Sequence, residues 1–385
     1  MKPDDINEAA LRRRRGEKWN HYAPEVLPAW VADMDFVVAE PIREALKGRV
    51  DDADLGYPVP NRETGLTQMF AERVHDRFDW AIESADVQII NDVVQGLYLG
   101  LLTYSKPGDG VVIQTPIYPP FLHAAEQTGR LARTSDLVAG DGRYEIDFDH
   151  LVTQLDERTR VFMLCNPHNP CGRAFTRGEL EQLAAICCER DLVILSDEIH
   201  AELVLDDRQH IPVASLAPEV AARTVTLMSA SKAFNIAGLC IAFAHFGSPD
   251  LKRTFNSVPS RIRGGTNALA VAAVRAAWSE GDQWQREILA ILRRNRDRVA
   301  EFIGERWPRV RHLPPQATYL AWLDMRDYEL RPSPYDYLLA QSQVALGDGR
   351  AFGAAGEGFV RLNFATSEAL LEEILARLDT AISIL

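Results

Sequence analysis

The sequence predicts an α/β protein with a large domain and a smaller one. Short apolar, β-branched runs alternate with helical patterns from about residue 85 onward, and this alternation is typical of a mostly parallel sheet with helices on both faces. A chain of 385 residues is long enough for two domains. We expect residues 46–280 to form the large domain, residues 281–385 a small α/β domain, and residues 1–45 a segment that packs with the small domain.

Composition and charge exclude several classes of partner. The formal net charge of −13 disfavours nucleic acid and anionic membranes, and no apolar run approaches the roughly 20 residues that span a bilayer. Residues 1–6 lack the apolar centre of a signal peptide. Five cysteines without metal-ligand spacing indicate reduced thiols and a cytoplasmic protein without a bound metal.

The first 60 residues carry few regular elements. A short helix is followed by an apolar segment at residues 26–36, and Pro41 lies in the first turn of the next helix. The arginines at residues 12–15 are expected on a solvated helix face or at a partner subunit. A turn-rich loop at residues 55–60 carries Tyr57.

Strands and helices then alternate, and the pattern changes beyond Arg275. The predicted strands are residues 87–91, 110–115, 160–165, 192–196, 224–228, 240–244, 318–323 and 358–364. The predicted helices are residues 96–104, 177–189, 284–303 and an amphipathic closing helix from Glu368 to about Ile382.

Polar side chains follow five of these strands. In open parallel sheets, ligands bind beyond the carboxyl ends of the strands. The strand ends carry amides, an aromatic ring, an acid, a histidine and a lysine, in residues 91–96, Tyr118, residues 166–172, Asp197 with His200, and Lys232. Each alone is ordinary turn or cap chemistry, but all five at one edge of a sheet predict a ligand site.

Lys232 is the chemical centre of this edge. It is predicted on a loop between two buried strands, flanked by the hydroxyls of Ser229 and Ser231. Burial lowers the pKa of a lysine and makes its neutral amine nucleophilic, and such amines form Schiff bases with carbonyls, including the aldehyde of pyridoxal phosphate. On this stretch alone, a loop lysine that reaches solvent is the simpler interpretation.

Ser229 to Lys232 also matches the S-x-x-K motif of serine acyl-enzymes. That motif requires S-D-N and K-T-G partners elsewhere in the chain, and neither occurs in the sequence. The acyl-enzyme interpretation is therefore set aside.

Arg361 is a lone arginine within an apolar strand. A buried arginine normally pairs with a carboxylate. That carboxylate belongs either to the protein or to a substrate, and the sequence leaves both open.

Five motifs together resemble one enzyme family. They are WVADMDF at residues 30–36, QTPIYPPF at 114–121, NPHNPCGR at 166–173, SDEIH at 196–200 and GEGFVRLN at 356–363. The set resembles fold-type I pyridoxal-phosphate enzymes, the aspartate aminotransferase superfamily, and more narrowly the cystathionine β-lyase and cysteine desulfhydrase group (MalY/PatB type). The motifs occur in family order and cover nearly the whole chain.

The resemblance implies roles for the residues around the cofactor ring. Lys232 would hold pyridoxal 5′-phosphate covalently and later move the Cα proton of the substrate. Asp197 would pair with the pyridine nitrogen and keep it protonated, which makes the ring an electron sink. Tyr118 would stack on the ring, and Asn169 would donate to its 3′ oxygen. His200 lies where aminotransferases usually have a tyrosine that contacts the same oxygen.

The resemblance also implies phosphate and substrate ligands. The amides of Val94 and Gln95 at a helix start, the Ser229 hydroxyl, and Tyr57 from a second subunit would bind the phosphate, so the implied assembly is a homodimer with shared sites. Arg361 would bind the substrate carboxylate in a bidentate manner, with the Ala32 backbone nearby.

Departures from the wider superfamily narrow the reaction. Many aminotransferases bind the phosphate with an arginine at the position of Cys240, and the lyase group tends to lack it. Gly347 and Ser367–Glu368 depart from the lyase group itself, near the substrate end. The resemblance therefore implies a C–S β-lyase that cleaves cystathionine or another S-substituted cysteine. An aminotransferase of the same superfamily, or a regulatory protein on this fold, is the alternative.

Overall fold

A computed structural model describes residues 4–384, and it consists of two sheets and the helices that cover them. The strands, in chain order, are β1 (Leu27–Ala29), β2 (Val87–Ile90), β3 (Gly110–Thr115), β4 (Leu131–Ala139), β5 (Tyr144–Ile146), β6 (Thr159–Cys165), β7 (Val193–Asp197), β8 (Thr224–Met228), β9 (Ala242–Phe246), β10 (Arg311–His312), β11 (Leu320–Asp324), β12 (Val344–Asp348) and β13 (Phe359–Asn363).

Helices precede, connect and follow these strands. In chain order they are α1 (Glu8–Leu11), α2 (Glu17–Asn20), α3 (Glu40–Asp51), α4 (Leu66–Phe78), α5 (Val93–Tyr104), α6 (Pro120–Gln127), α7 (Phe148–Thr153), α8 (Arg177–Glu189), α9 (Pro218–Ala221), α10 (Ala230–Ala233), α11 (Pro249–Phe255), α12 (Ala268–Glu280), α13 (Asp282–Arg306), α14 (Pro334–Ser342) and α15 (Glu368–Ile382).

The larger sheet has eight strands in the order β2-β9-β8-β7-β6-β3-β4-β5. The central strands β8, β7, β6, β3 and β4 are mutually parallel. Strand β9 is antiparallel to both β8 and β2, so β2 runs in the same direction as the central strands. This confirms the predicted α/β class with a mostly parallel sheet.

The central strands are apolar because both faces of the sheet are covered. All residues of β3 and β8 are buried, which explains why the sequence shows continuous apolar runs there rather than an alternating pattern. On one face α5 approaches so closely that a Cβ at Gly100 would lie 2.5 Å from a methyl carbon of Leu195. Any side chain at residue 100 would therefore force Leu195 to move.

The second sheet has five strands in the order β1-β12-β13-β11-β10. Strand β1, from the N-terminal segment, pairs in parallel with β12, and the remaining pairs are antiparallel. One hydrophobic cluster joins Leu27 and Phe36 to α13 and α15, whereas Ile42 packs in a different cluster with α4 and α12. The N-terminal segment thus packs in two different hydrophobic clusters.

The domain boundaries at residues 45/46 and 280/281 stay predictions. Residues 1–3 and 385, which the predicted domains include, lie outside the described residues. Among residues 4–384, no helix is both long enough and apolar enough to cross a bilayer.

Two predictions around Lys232 were wrong in detail. Lys232 lies in the short helix α10 rather than on a loop, because the Ser229 hydroxyl accepts from the Ser231 amide and caps that helix. The strand predicted at residues 240–244 begins only at Ala242. Cys240 has a φ of 53°, a left-handed conformation that a strand cannot include.

The arginine-rich run at residues 12–15 is only partly solvated. Arg12 forms an ion pair with Glu8, one turn earlier, at 2.7 Å. Arg14 instead donates to the carbonyl oxygen of Asp35 at 2.8 Å. The run therefore helps to hold the segment at residues 30–36.

Candidate active site

The carboxyl ends of β2, β3, β6, β7 and β8 lie at one edge of the larger sheet, because these five strands run in the same direction. Backbone hydrogen bonds join neighbouring strand ends. The Asn166 amide donates to the Asp197 carbonyl at 2.9 Å, and the Tyr118 amide donates to the Asn169 carbonyl at 3.0 Å. Residues that follow different strands therefore form one rigid rim.

Asp197 ends β7 and is buried. Its Oδ1 accepts from the Ile199 amide at 3.0 Å, and its other oxygen has no hydrogen-bond partner among the described residues. Burial raises the pKa of Asp197 to about 7, with the neighbouring Glu198 charge acting in the same direction and Lys232 against it. The second oxygen of Asp197 is therefore available to pair with a group that carries a proton or a positive charge.

Lys232 reaches across from the larger sheet to the N-terminal segment. Its Nζ donates to the carbonyl oxygen of Ala32 at 2.7 Å. Burial of the amine lowers its pKa, and the Arg361 charge adds to this effect, while Asp33 and Asp197 oppose it. A larger neutral fraction makes the amine a better nucleophile and base.

Arg361 lies in β13 of the second sheet, and its guanidinium faces the same rim. It donates to Asn169 Oδ1 at 3.0 Å and to the Trp30 carbonyl at 2.8 Å, and its guanidinium carbon lies 4.8 Å from the centre of the Phe352 ring. The described residues offer it no carboxylate, and its Nε has no partner. Burial lowers the pKa of Arg361 to about 10, so the group remains a cation at neutral pH.

The sequence left open whether the carboxylate partner of Arg361 belongs to the protein or to a substrate. Of the two possible partners for Arg361, a carboxylate of the protein is not found within the described residues. A buried cation held only by an amide and a carbonyl oxygen suits an incoming anion, since buried charges are normally paired.

Sequence reasoning missed three residues that hold the segment at residues 30–36. Tyr319 donates to the Ala32 carbonyl at 2.8 Å. Asn363 donates to the carbonyls of Val31 and Asp33 at 2.7 and 2.8 Å, and Asn235 bonds both the amide and the carbonyl of Met34 at 3.0 Å. Only Asn363 carried a usable signal, because it lies two residues after Arg361 on the same face of a strand.

A buried ion pair also holds the segment at residues 30–36, and we call this pair and the three side chains above the clamp on residues 30–36. Lys18 Nζ lies 2.9 Å from Asp35 Oδ2, and both side chains are buried. The indole of Trp19 donates to the other Asp35 oxygen at 2.7 Å. Asp35 is therefore a structural carboxylate, and Asp33 is the acid of this segment that acts electrostatically on Lys232.

Tyr118 and His200 lie near the charged groups of this site, since Arg361 and Asp197 act on Tyr118, and Lys232 and Arg361 act on His200. Tyr118 is half-buried, and burial raises its pKa, so its hydroxyl stays protonated. Burial lowers the pKa of His200 to about 3, and the Lys232 and Arg361 charges act in the same direction. Its imidazole is thus neutral, with Nδ1 lacking a partner.

The residues predicted to bind phosphate are partly engaged with the protein. The Gln95 amide donates to the Asp92 side chain at 2.7 Å in the first turn of α5, where Val94 also lies. The Ser229 hydroxyl donates to the Ile241 carbonyl at 2.6 Å. A phosphate at this corner would compete with Asp92 and Ile241 for these donors.

Tyr57 is not brought to the rim within one chain. Its side chain is fully exposed, at 104% of the reference value. It lies beside the segment at residues 266–269, whose neighbour Ile262 accepts a hydrogen bond from Gln95. The loop therefore adjoins the predicted phosphate corner without entering it.

Two of the positions that distinguish this chain, Cys240 from many aminotransferases and Gly347 from the lyase group, have clear places in the structure. Cys240 is exposed and follows the turn after α10. Gly347 lies opposite Arg361 in the pairing of β12 with β13, and a Cβ at Gly347 would lie 3.4 Å from Arg361 Nε. Glycine thus leaves open space beside the nitrogen that has no partner.

The chemistry of these residues fits pyridoxal phosphate. The ring nitrogen needs an acid such as Asp197, and the aldehyde needs an amine with a lowered pKa such as Lys232. Nδ1 of His200 and Nε of Arg361 are buried polar atoms without a partner among the described residues, and such atoms normally have partners. A polar aromatic ligand would satisfy them.

Comparison with known proteins identifies the family. Residues 37–378 match the family described as Aminotransferase class I and II, and the chain belongs to it. This agrees with the resemblance to fold-type I enzymes that the motifs carry.

Particular relatives place the chain within that family. It is 39% identical to cystathionine beta-lyase PatB of Bacillus subtilis over 363 residues, which cover 93% of each chain. The crystal structure of OvoB is 35% identical, with a TM-score of 0.93 and coverage of 100% of this chain and 99% of that one. A pyridoxal-phosphate-bound C-S lyase from Staphylococcus hominis is 29% identical, with a TM-score of 0.92 and coverage of 99% of both.

Proposed function

We propose that this protein is a pyridoxal-phosphate-dependent C–S β-lyase. It cleaves cystathionine or another S-substituted cysteine to a thiol, pyruvate and ammonia. The names of the relatives support the reaction class, since PatB is named a cystathionine beta-lyase and the Staphylococcus hominis structure a C-S lyase.

The main support for the proposal is that two buried groups, the Arg361 guanidinium and the Lys232 amine, lie at the same edge of the larger sheet. Arg361 is a buried cation without a carboxylate partner among the described residues, and it faces the same space as the Lys232 amine. An α-amino acid has a carboxylate for the first group and a Cα proton for the second. No other ligand class uses both groups as directly.

In the proposed reaction, each residue acts on a stated atom. When bound, pyridoxal phosphate supplies an electron sink for negative charge at the substrate Cα. Asp197 keeps the proton on the ring nitrogen, Arg361 binds the substrate carboxylate, and Lys232 Nζ removes the Cα proton. The clamp on residues 30–36 fixes the Ala32 carbonyl, which holds Lys232 when the amine is free.

The leaving group then decides the reaction. A thiolate departs with both electrons of the C–S bond, and hydrolysis with one water gives pyruvate and ammonia. Thiols have pKa values near about 8.5, so a thiolate leaves readily and elimination should precede reprotonation. The absence of an arginine at Cys240 is a further feature that favours the eliminating group over the transaminating one.

We expect pyruvate and ammonia to form from L-cystathionine without any added 2-oxo acid. Both products would be measured in a coupled assay with purified protein and pyridoxal phosphate. L-Alanine, which has no β-leaving group, is the matched control and should give no pyruvate by this route. A requirement for a 2-oxo acid, with accumulation of pyridoxamine phosphate, would instead establish the aminotransferase alternative.

A protein that binds cofactor but turns over neither class of substrate would support the regulatory alternative. This outcome is separable, because cofactor binding is measured by absorbance and turnover by product. Localisation in the cytoplasm stays a prediction from the cysteine content.

We further propose that the active unit is a homodimer that shares its sites. Two large apolar side chains in the loop that carries Tyr57, Leu55 and Val59, are exposed at 57% and 53%, and Ile262, which follows the sheet elsewhere in the chain, is exposed at 58%. Exposed apolar side chains clustered in this way are typical of interaction surfaces. Burial against a second subunit would remove them from water and bring Tyr57 to the partner's phosphate corner.

Mixing two inactive variants should restore activity if the sites are shared. A hybrid of Tyr57→Phe and Lys232→Ala subunits contains one site with both natural residues, so up to about half of the hybrid's sites regain function. A mixture of Asp197→Asn with Lys232→Ala is the matched control, since both residues belong to the same chain's site and no natural site forms. Equal activity in the two mixtures, after subunit exchange is verified by mass, would argue against sharing.

A further inference from the structure

A second buried acid, Glu198, follows Asp197 directly and has a network of its own. Its Oε1 accepts from the Ser196 hydroxyl at 2.8 Å and from the Val213 amide at 3.2 Å. Its Oε2 lies 2.7 Å from His210 Nε2, and the two side chains are only 0% and 1% exposed. The proposed reaction uses neither residue.

This network anchors the turn that carries Asp197. The Glu198 amide donates to the Leu227 carbonyl of β8 at 2.9 Å, and its side chain bonds residues before and after the turn. The segment that carries His210 and Val213 is thereby attached to the end of β7. Displacement of Glu198 would move Asp197, whose own Oδ1 is held only by the Ile199 amide.

The position of Glu198 next to Asp197 disfavours the ionised form of Asp197, because the charged Glu198 acts against a second negative charge beside it. The ionised form is the one that pairs with a protonated ring nitrogen. A buried carboxylate so close to this acid therefore needs a compensating donor on its other side.

Among the described residues, His210 and Ser196 are the side chains that donate to Glu198, one to each carboxylate oxygen. The guanidinium of Arg73 lines a small cavity together with Glu198, but it is ion-paired with Glu202 and Asp282, at 2.5 and 2.6 Å. The edge of the Phe78 ring packs against His210, with ring centres 5.2 Å apart, and keeps the imidazole in place.

We propose that Glu198 and His210 are a pair of positioning residues for Asp197. Glu198 holds the turn after β7, and His210 donates a hydrogen bond to Glu198 Oε2, which lessens the effect of that carboxylate on Asp197 so that Asp197 keeps its own charge for the cofactor ring nitrogen. The inference rests on the proposed cofactor chemistry and concerns residues that do not touch the cofactor.

Lys232, Tyr118 and Cys165 are other titratable groups near Asp197. Lys232 in α10 favours its ionisation, and Tyr118 and Cys165 face it as neutral groups whose pKa values are raised chiefly by burial. None of these groups bonds Glu198. A change at Glu198 or His210 should therefore act on Asp197 through the pair alone.

The test is the pH dependence of pyridoxal-phosphate affinity, measured by titrating apoprotein and following absorbance from pH 5.5 to 9. In the natural protein, affinity should fall as pH drops through the pKa of Asp197, which is about 7. Glu198→Gln should move this midpoint down by about half to one pH unit, and His210→Leu, which removes the donor to Glu198, should move it up by a similar amount. Free pyridoxal phosphate titrates identically in every arm, so differences between proteins report on the chain.

Midpoint shifts of opposite sign in the Glu198 and His210 variants would distinguish this proposal from a role of the two residues in packing alone. Two packing defects would weaken binding at every pH and leave the midpoint unchanged, and that result would overturn the inference, as would shifts in the same direction. Glu219→Gln makes the same chemical change at an exposed residue and should leave the midpoint in place. If His210→Leu does not fold, the sign of the Glu198→Gln shift decides alone. Failure of the natural protein to bind the cofactor would count against the proposed function instead.

Discussion

Lys232→Ala should lose the borohydride-dependent covalent attachment of pyridoxal phosphate and lower the turnover of L-cystathionine by at least about 10³-fold. The loss combines a nucleophile with a general base, and removal of a general base alone typically costs 10²- to 10⁴-fold. Attachment is measured by mass spectrometry of borohydride-treated protein, and turnover by pyruvate release.

Lys106→Ala is the matched control for this experiment, because Lys106 is an exposed lysine and should change neither measurement. A Lys232→Ala protein that retains covalent cofactor and more than a tenth of the natural turnover would place the reactive amine elsewhere. The proposed site would then be wrong.

Asp197→Asn is expected to stabilise the apoprotein at pH 8 while it removes function. The pKa of Asp197 is raised from 3.8 to about 7 by burial, so the folded chain binds its proton more tightly than the unfolded chain. Stability from this group is complete below about pH 4 and is lost as pH rises to about 7. The neutral amide avoids that loss, which is on the order of 4 kcal/mol at most.

The same variant should bind pyridoxal phosphate more weakly and lose about 100-fold or more in turnover, since it cannot hold the charge opposite a protonated ring nitrogen. Urea unfolding of both apoproteins at pH 8 and at pH 4.5 tests the stability part. The difference should be large at pH 8 and fall to roughly a quarter of that value at pH 4.5. A difference that is the same at both pH values would show that the charge of Asp197 is not the cause.

Local pattern was sufficient for the class of fold and for most of the strand ends. The strands at residues 110–115 and 224–228 and the helix at residues 177–189 have the predicted bounds, because continuous apolar runs and end caps act within a few residues. The errors at Lys232 and Cys240 have local causes that the apolar pattern does not report. One is a serine cap and the other a left-handed residue.

The contacts of the N-terminal segment were not predictable in the same way. Asn235, Tyr319 and Asn363 hold residues 30–36 although they lie about 200 to 330 positions away along the chain. An asparagine or tyrosine that binds a distant carbonyl has the same sequence surroundings as one that faces solvent. Only the packing of the second sheet against the first distinguishes the two.

By itself, the sequence determined the α/β class and the order of the strand ends, and it predicted which side chains are reactive, because these depend on residue type and short spacing. The tertiary structure decided that Arg361 has no carboxylate among the described residues, that the Ala32 carbonyl accepts from Lys232, and that Glu198 is bonded to His210. Those facts depend on burial and on distances between remote segments. Burial, in turn, lowers the pKa of Lys232, which favours its neutral amine, and raises the pKa of Asp197, a shift that the positive charge of a protonated ring nitrogen would offset.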